Sequence, residues 1–181
     1  MRDFSEMKPE IHPDSFIAEG ARIVGRVILG RGSSVWFNSV LRADVATITV
    51  GENTNIQDGC LVHVDFGLDT VIGSNVTVGH GAILHACRIG DNVLIGMGAT
   101  VLDGAIIPPN SVVAAGALVP PKKTYPPRTL ILGSPARVAR ALGEDEIKHL
   151  PEHAALYVSI WRAYVEKGIG GSGPHPPVRC S

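Results

Sequence analysis

The sequence predicts an all-β solenoid, a left-handed parallel β-helix, and this prediction rests on two observations. Aliphatic residues recur every six positions between Ile11 and Val119, with three interruptions that leave the spacing intact on either side. Two positions before each of them the residue is usually small or β-branched, as Ser33 is before Val35. A period of six fits neither an amphipathic helix nor a single strand. It indicates short strands that meet at tight corners, with three hexapeptides closing one triangular coil.

The hexapeptides from Ile11 to Val119 predict about six stacked coils, which we assign to residues 1–141. In each coil the aliphatic residue points inward and the small residue fills the corner beside it. Glycine or asparagine supplies the positive φ that such turns need. The composition suits this core, because 45% of the residues are hydrophobic and only 5% are aromatic. The core is therefore expected to be built from Val, Ile, Leu and Ala.

The repeat stops at a proline-rich connector, residues 120–127, and an irregular final coil is expected over 128–141. Residues 142–167 are predicted to form an α-helical segment against the flank of the β-helix. Acidic residues from Glu144 onward suit a helix start, and apolar residues follow at helical spacing. Pro151 is expected to be a break or the first turn of a second helix. The glycine- and proline-rich residues 168–181 predict a disordered tail.

Charge and cysteine content narrow the possible partners and the compartment. The net charge is −1 with both signs interspersed, so no basic surface for nucleic acid is expected. No apolar run approaches the ~18 residues of a membrane span. The N-terminus lacks an apolar export signal, and an odd number of cysteines without paired spacing suits a reducing compartment. We therefore predict a cytoplasmic protein.

Three histidines lie at special positions of the repeat. His63 and His85 each follow an inward residue, so they occupy the same outward position on adjacent coils, roughly 4.8 Å apart. Two imidazoles at that separation can share a metal ion. His80 lies on a different face of its coil and cannot join them within one chain. A neighbouring subunit of a homotrimer with a threefold axis can supply it, which predicts a metal site shared between subunits.

Further polar residues follow the same ladders. Arg42 lies one coil below His63, and Asp44 follows it by two positions. Asp58 lies one coil below His80, with Gln57 beside it. Such groups can orient imidazoles, form ion pairs across an interface or accept protons. A purely structural ion pair between Arg42 and Asp44 remains an equal alternative.

The order of these residues resembles the γ-class carbonic anhydrase family, and in particular its short bacterial members without a long acidic loop. The resemblance rests on Leu-Arg-Ala-Asp at 41–44, Asn-Ile-Gln-Asp-Gly at 55–59, His63, and Gly-His-Gly-Ala-Ile-Leu-His at 79–85. It covers residues 11–164. The hexapeptide repeat alone is weak support for a function, because many acyltransferases share it. The histidine set with its Arg-Asp and Gln-Asp pairs is more specific.

The resemblance implies a zinc enzyme, with Fe²⁺ or Co²⁺ as possible replacements, that hydrates CO2 reversibly to bicarbonate by a metal-bound hydroxide. His63 and His85 of one subunit and His80 of its neighbour would bind the metal. The resemblance also implies roles for other residues. Gln57 would orient the hydroxide or the substrate, and Arg42 and Asp44 would form an interface pair. Asp58 would be a second acidic group, and Tyr157 a helix tyrosine directed towards the metal.

One departure from the family pattern concerns proton transfer. The loop after His63 is short, with only Asp65 and Asp69 as acidic residues, and Val45 stands where the prototype of the family has another acid. This departure favours slow proton export and a low activity.

Three other functions remain open from the sequence. The same metal site could hydrolyse an acyl-CoA thioester. The repeat also suits a hexapeptide acyltransferase, although no long protruding loop with a catalytic histidine is present. A metal-stabilised scaffold trimer without catalytic activity is the third.

Overall fold

The computed structural model describes residues 7–170 of the chain, which form short β-strands followed by one α-helix. The strands in chain order are β1 (Glu10–Ile11), β2 (Phe16–Ile17), β3 (Arg22–Leu29), β4 (Ser34–Val35), β5 (Val40–Val50), β6 (Asn55–Ile56), β7 (Leu61–His63), β8 (Thr70–Ile72), β9 (Thr77–Val78), β10 (Ile83–His85), β11 (Arg88–Ile89), β12 (Leu94–Ile95), β13 (Thr100–Val101), β14 (Ile106–Ile107), β15 (Val112–Val113), β16 (Leu118–Val119), β17 (Thr129–Gly133) and β18 (Ala136–Ala141). The helix α1 spans Glu144–Glu166.

The strands stack in parallel into three faces, which confirms the predicted β-helix. Face 1 contains β7, β10, β13 and β16, and face 2 contains β1, β8, β11 and β14. The long strands β3 and β5 turn the corner between them, so their first halves belong to face 1 and their second halves to face 2. Face 3 contains β2, β4, β6, β9, β12, β15 and β17.

The aliphatic repeat residues form the core inside these faces. All of them are buried except Ile11 and Ile23 in the first coils, which are partly exposed and pack against the same core. The small residues two positions earlier are buried too, as Ser33 and Cys60 show, except Ala21, which is partly buried. The period of six therefore predicted correctly which side chains point inward.

Asparagine supplies the left-handed turns at the corner between faces 2 and 3. Asn53, Asn75, Asn92 and Asn110 all have positive φ, between 53° and 57°. Their amides form a ladder, with donor–acceptor distances of 3.4, 3.2 and 3.0 Å between successive coils. Asparagine tolerates this conformation better than most residues, and each amide satisfies its neighbour in the stack.

The end of the solenoid differs from the expected irregular coil. β17 pairs in parallel with β15 and adds a further layer to face 3, and β18 then returns antiparallel to β17. The six predicted coils are thus extended, because the chain re-enters the stack after the proline-rich connector. The antiparallel β18 covers an edge that would otherwise expose unpaired backbone groups.

Helix α1 is continuous, so the expectation that Pro151 begins a second helix or breaks the first is wrong. A proline inside a helix removes one hydrogen bond, at a cost of ~3 kcal/mol. Packing offsets this cost, because Leu150 and Ala154 are buried on either side of it and Trp161 is buried further along. The helix contacts β4, β6 and β9, and so lies on face 3.

The predicted tail lies largely outside the described residues, which end at 170. The carbonyl of Gly170 accepts a hydrogen bond from the backbone N–H of Glu19 at 2.8 Å. Over residues 7–170, no helix has the length and hydropathy needed to cross a membrane.

Candidate metal centre

Two corners border face 1. The downstream corner, where the chain leaves face 1, contains Arg42, Asp44, His63, His85 and Asp103. His63 ends β7 and His85 ends β10, and the two residues are direct partners in the strand register. Nδ1 of His63 and Nε2 of His85 are 3.0 Å apart. The repeat thus brings two imidazole nitrogens together at one point of the surface.

This pair of nitrogens fits two ligands of one metal ion. Imidazole nitrogens lie about 2.0–2.1 Å from zinc, which puts two of them about 3.3 Å apart in a tetrahedral site. The side chains of His63 and His85 are 26% and 33% exposed, so an ion can reach them. Within residues 7–170 no three His, Cys, Asp or Glu side chains form a metal-binding group. At this corner the described part of one chain brings together two histidine nitrogens.

A carboxylate contacts the second ring nitrogen of each histidine. Oδ1 of Asp44 lies 3.0 Å from Nε2 of His63, and Oδ1 of Asp103 is hydrogen-bonded to Nδ1 of His85. Arg42 donates to the other oxygen of Asp44. Partial burial raises the pKa of Asp44, but the hydrogen bonds from His63 and Arg42 outweigh it and lower the pKa below its usual value. Asp44 is thus ionised at neutral pH.

A bulge in β5 positions Asp44. The pairing of β3 with β5 shifts between Gly25, opposite Ala43, and Val27, opposite Ile48. The extra residues of β5 begin at Asp44, so its carboxylate can turn towards His63 on the next coil. Gly25 has φ +82°, and a Cβ there would lie 2.1 Å from the carbonyl oxygen of Ala43. Only glycine lets β3 pass this close to the bulge.

The upstream corner, where the chain enters face 1, contains Gln57, Asp58 and His80. His80 follows β9, and its Nδ1 lies 2.7 Å from Oδ2 of Asp58, which follows β6 one coil away. His80 lies in the turn before β10 and His85 is the last residue of β10, so the strand separates the two histidines. The structure therefore keeps His80 at the opposite edge of face 1 from the other two histidines.

A chain of hydrogen bonds links Gln57 to helix α1. Nε2 of Gln57 donates to Oδ1 of Asn55 at 3.1 Å, and Nδ2 of Asn55 donates to Oγ1 of Thr77 at 3.0 Å. Oγ1 of Thr77 is 3.1 Å from Nδ1 of His153 on the helix. Gln57 and Asn55 are buried, so these bonds hold their amides in place.

Tyr157 also belongs to the upstream corner. Its ring packs edge-on against Trp36, with centroids 5.6 Å apart, and lies 5.8 Å from the ring of His153. Burial and the charge of Asp58 raise the pKa of the phenol above its usual value. Tyr157 therefore stays protonated at neutral pH and can donate a hydrogen bond.

Sequence reasoning missed four members of these corners. Asp103, Asn55, Thr77 and His153 were assigned no role from the sequence. Asp103 could have been found by extending the histidine ladder, because Leu84 pairs with Val101 and the corner after β13 therefore lies beside His85. Thr77 is the register partner of Asn55. The contact of His153 has no sequence signal, because it depends on how α1 lies on face 3.

Face 1 is apolar on its outer side between the two corners. Val40, Leu61 and Ile83 are register partners there, and Leu61 and Ile83 are 47% and 38% exposed. These side chains and Arg42, His63 and His85 line one open cleft. The downstream histidines thus lie at the edge of an aliphatic surface.

Similar proteins connect this geometry to a family. Residues 69–102 and 86–121 match the family described as bacterial transferase hexapeptide (six repeats). The chain is 53% identical over 144 residues to the "Probable carbonic anhydrase" of Methanocaldococcus jannaschii, which covers 80% of this chain and 91% of that protein. It is 43% identical over 162 residues to "Gamma carbonic anhydrase 1, mitochondrial" of Arabidopsis thaliana, which covers 86% of this chain and 59% of the longer plant protein.

A solved structure of a similar protein has the same fold as this chain. A hexapeptide transferase family protein from Anaplasma phagocytophilum matches with a TM-score of 0.83 and 44% identity, over 86% of this chain and 92% of that one. This chain is therefore similar both to a protein named as a transferase and to proteins named as carbonic anhydrases. More than half of the aligned residues are identical to those of the archaeal relative, over nearly the whole length of that protein. This similarity assigns the family. The chain belongs to the γ-class carbonic anhydrase family.

Proposed function

We propose that this protein is a metal-dependent carbonic anhydrase that hydrates CO2 reversibly to bicarbonate at a site shared between the subunits of a homotrimer. The proposal rests on the pair of facing nitrogens in His63 and His85, 3.0 Å apart, each on a ring whose other nitrogen contacts a carboxylate. Three histidine ligands with an open position are typical of a catalytic zinc site. His80 of a neighbouring subunit is the third ligand.

The outer side of face 1 supports the shared site. Leu61 and Ile83 form an exposed aliphatic surface between the upstream and downstream corners, and burial against another chain would remove it from water. A threefold axis beside face 1 would bring the upstream corner of one chain to the downstream corner of the next. His80 would then approach the His63–His85 pair from outside.

The residues of the chain have distinct roles in this reaction. His63, His85 and a neighbouring subunit's His80 would hold zinc, iron or cobalt, which would act as a Lewis acid and lower the pKa of water towards neutral. Asp44 and Asp103 orient the two imidazoles, and Arg42 holds Asp44 by donating to its second carboxylate oxygen. Gln57, fixed through Asn55, orients the attacking oxygen or CO2. Protonated Tyr157 is a hydrogen-bond donor near the same corner.

The loop after His63 supports a low activity. Backbone hydrogen bonds of 3.1 and 3.0 Å between Asp65 and Leu68 close it into a tight turn. The carboxylate of Asp65 accepts the N–H of Phe66, and that of Asp69 accepts the N–H of Thr47 at 2.8 Å. One carboxylate oxygen of each acid is therefore held by a backbone N–H, and we expect proton export to limit the rate.

Mixed trimers test the shared site. His80→Ala and His85→Ala chains with different tags are co-expressed, and trimers that contain both are purified through both tags. Each mixed trimer has one place where an intact downstream corner meets an intact His80, so about one third of wild-type activity and metal content should return. Stopped-flow CO2 hydration and metal analysis measure both quantities.

The matched control is a mixture of His63→Ala and His85→Ala chains. Every downstream corner in that mixture lacks one histidine, so no activity should return. A site built within one chain predicts no recovery in either mixture, which would contradict the shared site. Metal-loaded wild type without CO2 hydration would contradict the carbonic anhydrase activity, and acyl-CoA thioesters would then be the next substrates to test.

A further inference from the structure

We propose that Asp103 is a positioning residue for the metal. It holds His85 in the tautomer with the proton on Nδ1, opposite to the tautomer that Asp44 imposes on His63. This inference deepens the proposed function, because it assumes that the two histidines are metal ligands. It also makes a statement about His85 that can be measured without metal.

The contact between Asp103 and His85 crosses from one coil to the next. Leu84 pairs with Val101 in the strand register, so the turn after β13 stacks directly over the end of β10. The carbonyl of Asp103 accepts the N–H of Lys122 in the following coil at 2.7 Å, which fixes the backbone of that turn. Its carboxylate is held beside Nδ1 of His85. The position of Asp103 is thus a property of the stacked coils.

The contact between Asp103 and His85 determines which ring nitrogen of His85 carries the proton. An ionised carboxylate only accepts hydrogen bonds, and a neutral imidazole has one N–H and one lone pair. Nδ1 of His85 must therefore carry the proton, which leaves the lone pair on Nε2. By the same argument Asp44 puts the proton of His63 on Nε2 and its lone pair on Nδ1.

With these tautomers, the lone pair of His63 and the lone pair of His85 face each other. Nδ1 of His63 and Nε2 of His85 are 3.0 Å apart, and two lone pairs at that distance repel unless a cation lies between them. A metal ion relieves the repulsion and uses both lone pairs at once. The pair of carboxylates therefore prepares the two histidines for a metal before the third ligand arrives.

Asp103 offers a cleaner test than Asp44. The carboxylate of Asp44 contacts both Arg42 and His63, so its removal disturbs two groups. Over residues 7–170, the one side-chain partner of the Asp103 carboxylate is His85. A change in metal affinity on removal of Asp103 therefore acts through His85.

The experiment compares Asp103→Ala and Asp103→Asn with wild type in the full-length protein. Zn²⁺ affinity is measured by competition with a chromogenic chelator, and the His85 tautomer is measured by long-range ¹H–¹⁵N NMR of the metal-free protein. We expect Asp103→Ala to weaken Zn²⁺ binding about 10–100-fold and to reduce the Nδ1–H population of His85. Asp103→Asn keeps an acceptor oxygen without the charge and should show an intermediate loss.

The matched control is Asp91→Ala. Asp91 lies at the corner between faces 2 and 3, and its carboxylate accepts the N–H of Ser74 at 2.7 Å. Its loss removes the same charge from a similar turn without touching a histidine, so Zn²⁺ affinity and the His85 tautomer should stay at wild-type values.

The outcomes separate this inference from the proposed function. Wild type that binds none of Zn²⁺, Fe²⁺ and Co²⁺ contradicts the proposed function, and the NMR comparison still decides the tautomer. Wild type that binds Zn²⁺, with equal affinity and an unchanged His85 tautomer in both Asp103 variants, overturns the role of Asp103. If Asp103→Ala does not fold, Asp103→Asn decides in the same two measurements.

Discussion

The two corners of face 1 each place a histidine against a carboxylate, but they are built differently. At the downstream corner the carboxylates that contact the His63 and His85 rings, Asp44 and Asp103, come from neighbouring turns of the solenoid. At the upstream corner the contacts extend to helix α1, through His153 and Tyr157. The downstream corner is built within the stacked coils, including the bulge in β5, and the upstream corner depends on how a separate element docks.

This difference predicts different responses to perturbation. A change that loosens α1 should disturb the upstream corner and leave the downstream histidines in place. A change within a coil should act on the histidine pair without affecting the helix. The following experiments test this comparison.

Trp161→Ala should have the largest effect on stability. Trp161 is buried, stacks on Phe16 with ring centroids 6.2 Å apart, and donates from Nε1 to the carbonyl of Gly32 at 3.3 Å. Loss of this side chain should lower the free energy of unfolding by about 3–5 kcal/mol. Urea unfolding measures the loss, and hydrogen exchange shows where it acts.

Faster exchange should appear in α1 and around Thr77, with little change in β7 and β10. Leu156→Ala, at a helix position that is 53% exposed, is the control and should change stability by less than about 0.5 kcal/mol. Equal acceleration at both corners would contradict the comparison.

Both corners contain a buried cysteine, and here we expect similar behaviour. Burial raises the pKa of Cys60 at the upstream corner to about 11, and that of Cys87, just after His85, to about 12. About one Cys60 thiol in a thousand is then ionised at pH 8, against roughly a quarter of free cysteine thiols. Alkylation by iodoacetamide at pH 8 should therefore be more than about a hundredfold slower than for free cysteine.

Mass spectrometry of the digested protein follows each thiol separately. Protein unfolded in urea is the control, and both cysteines should react fully there. Rapid labelling of native Cys60 alone would show that the upstream corner opens, and would sharpen the contrast between the two corners.

Thr77→Val should have a moderate effect confined to the upstream corner. It removes the hydroxyl between Asn55 and His153 and leaves the buried amide of Asn55 without that acceptor. An unsatisfied buried polar group costs about 1–3 kcal/mol. The unfolding free energy should fall by that amount, with the His63 and His85 NMR signals unchanged. Thr100→Val on β13 is the control, and an equal loss there would argue against the hydrogen-bonded chain.

Glu146→Gln should have the smallest effect, and this effect should disappear at low pH. Hydrogen bonds from Arg140 and from the backbone N–H of Gly143 lower the pKa of Glu146 to about 2. A carboxyl with a lowered folded pKa stabilises the protein above its unfolded pKa, and this contribution disappears as the pH falls through 2. Wild type should therefore be slightly more heat-stable than Glu146→Gln at pH 7, and the two should converge near pH 2. A constant difference between these pH values would contradict the assignment.

Much of the downstream corner could be predicted from sequence. The period of six assigns His63 and His85 to one outward position on adjacent coils, and the structure has them as register partners. The same rule places Arg42 next to His63. Asp103 could have been predicted by extending the same rule to the next coil. The roles of these residues in catalysis remain predictions.

Other features could not be predicted. The period ends at Val119, so the return of β17 to face 3 and the antiparallel β18 had no signal in the repeat. Pro151 predicted an interruption of the helix, because local backbone rules do not include the burial of Leu150 and Ala154. The contact of His153 with Thr77 joins residues far apart in sequence and depends on the docking of α1.

The sequence by itself determined the solenoid, its inward residues and the alignment of the two downstream histidines, because a fixed six-residue repeat converts distance along the chain directly into position on a face. Only the tertiary structure decided how α1 packs on face 3, how it reaches the upstream corner, and which carboxylate contacts which ring nitrogen. Those features depend on side-chain packing between distant elements and on a bulge in β5, and neither follows from the period of the repeat.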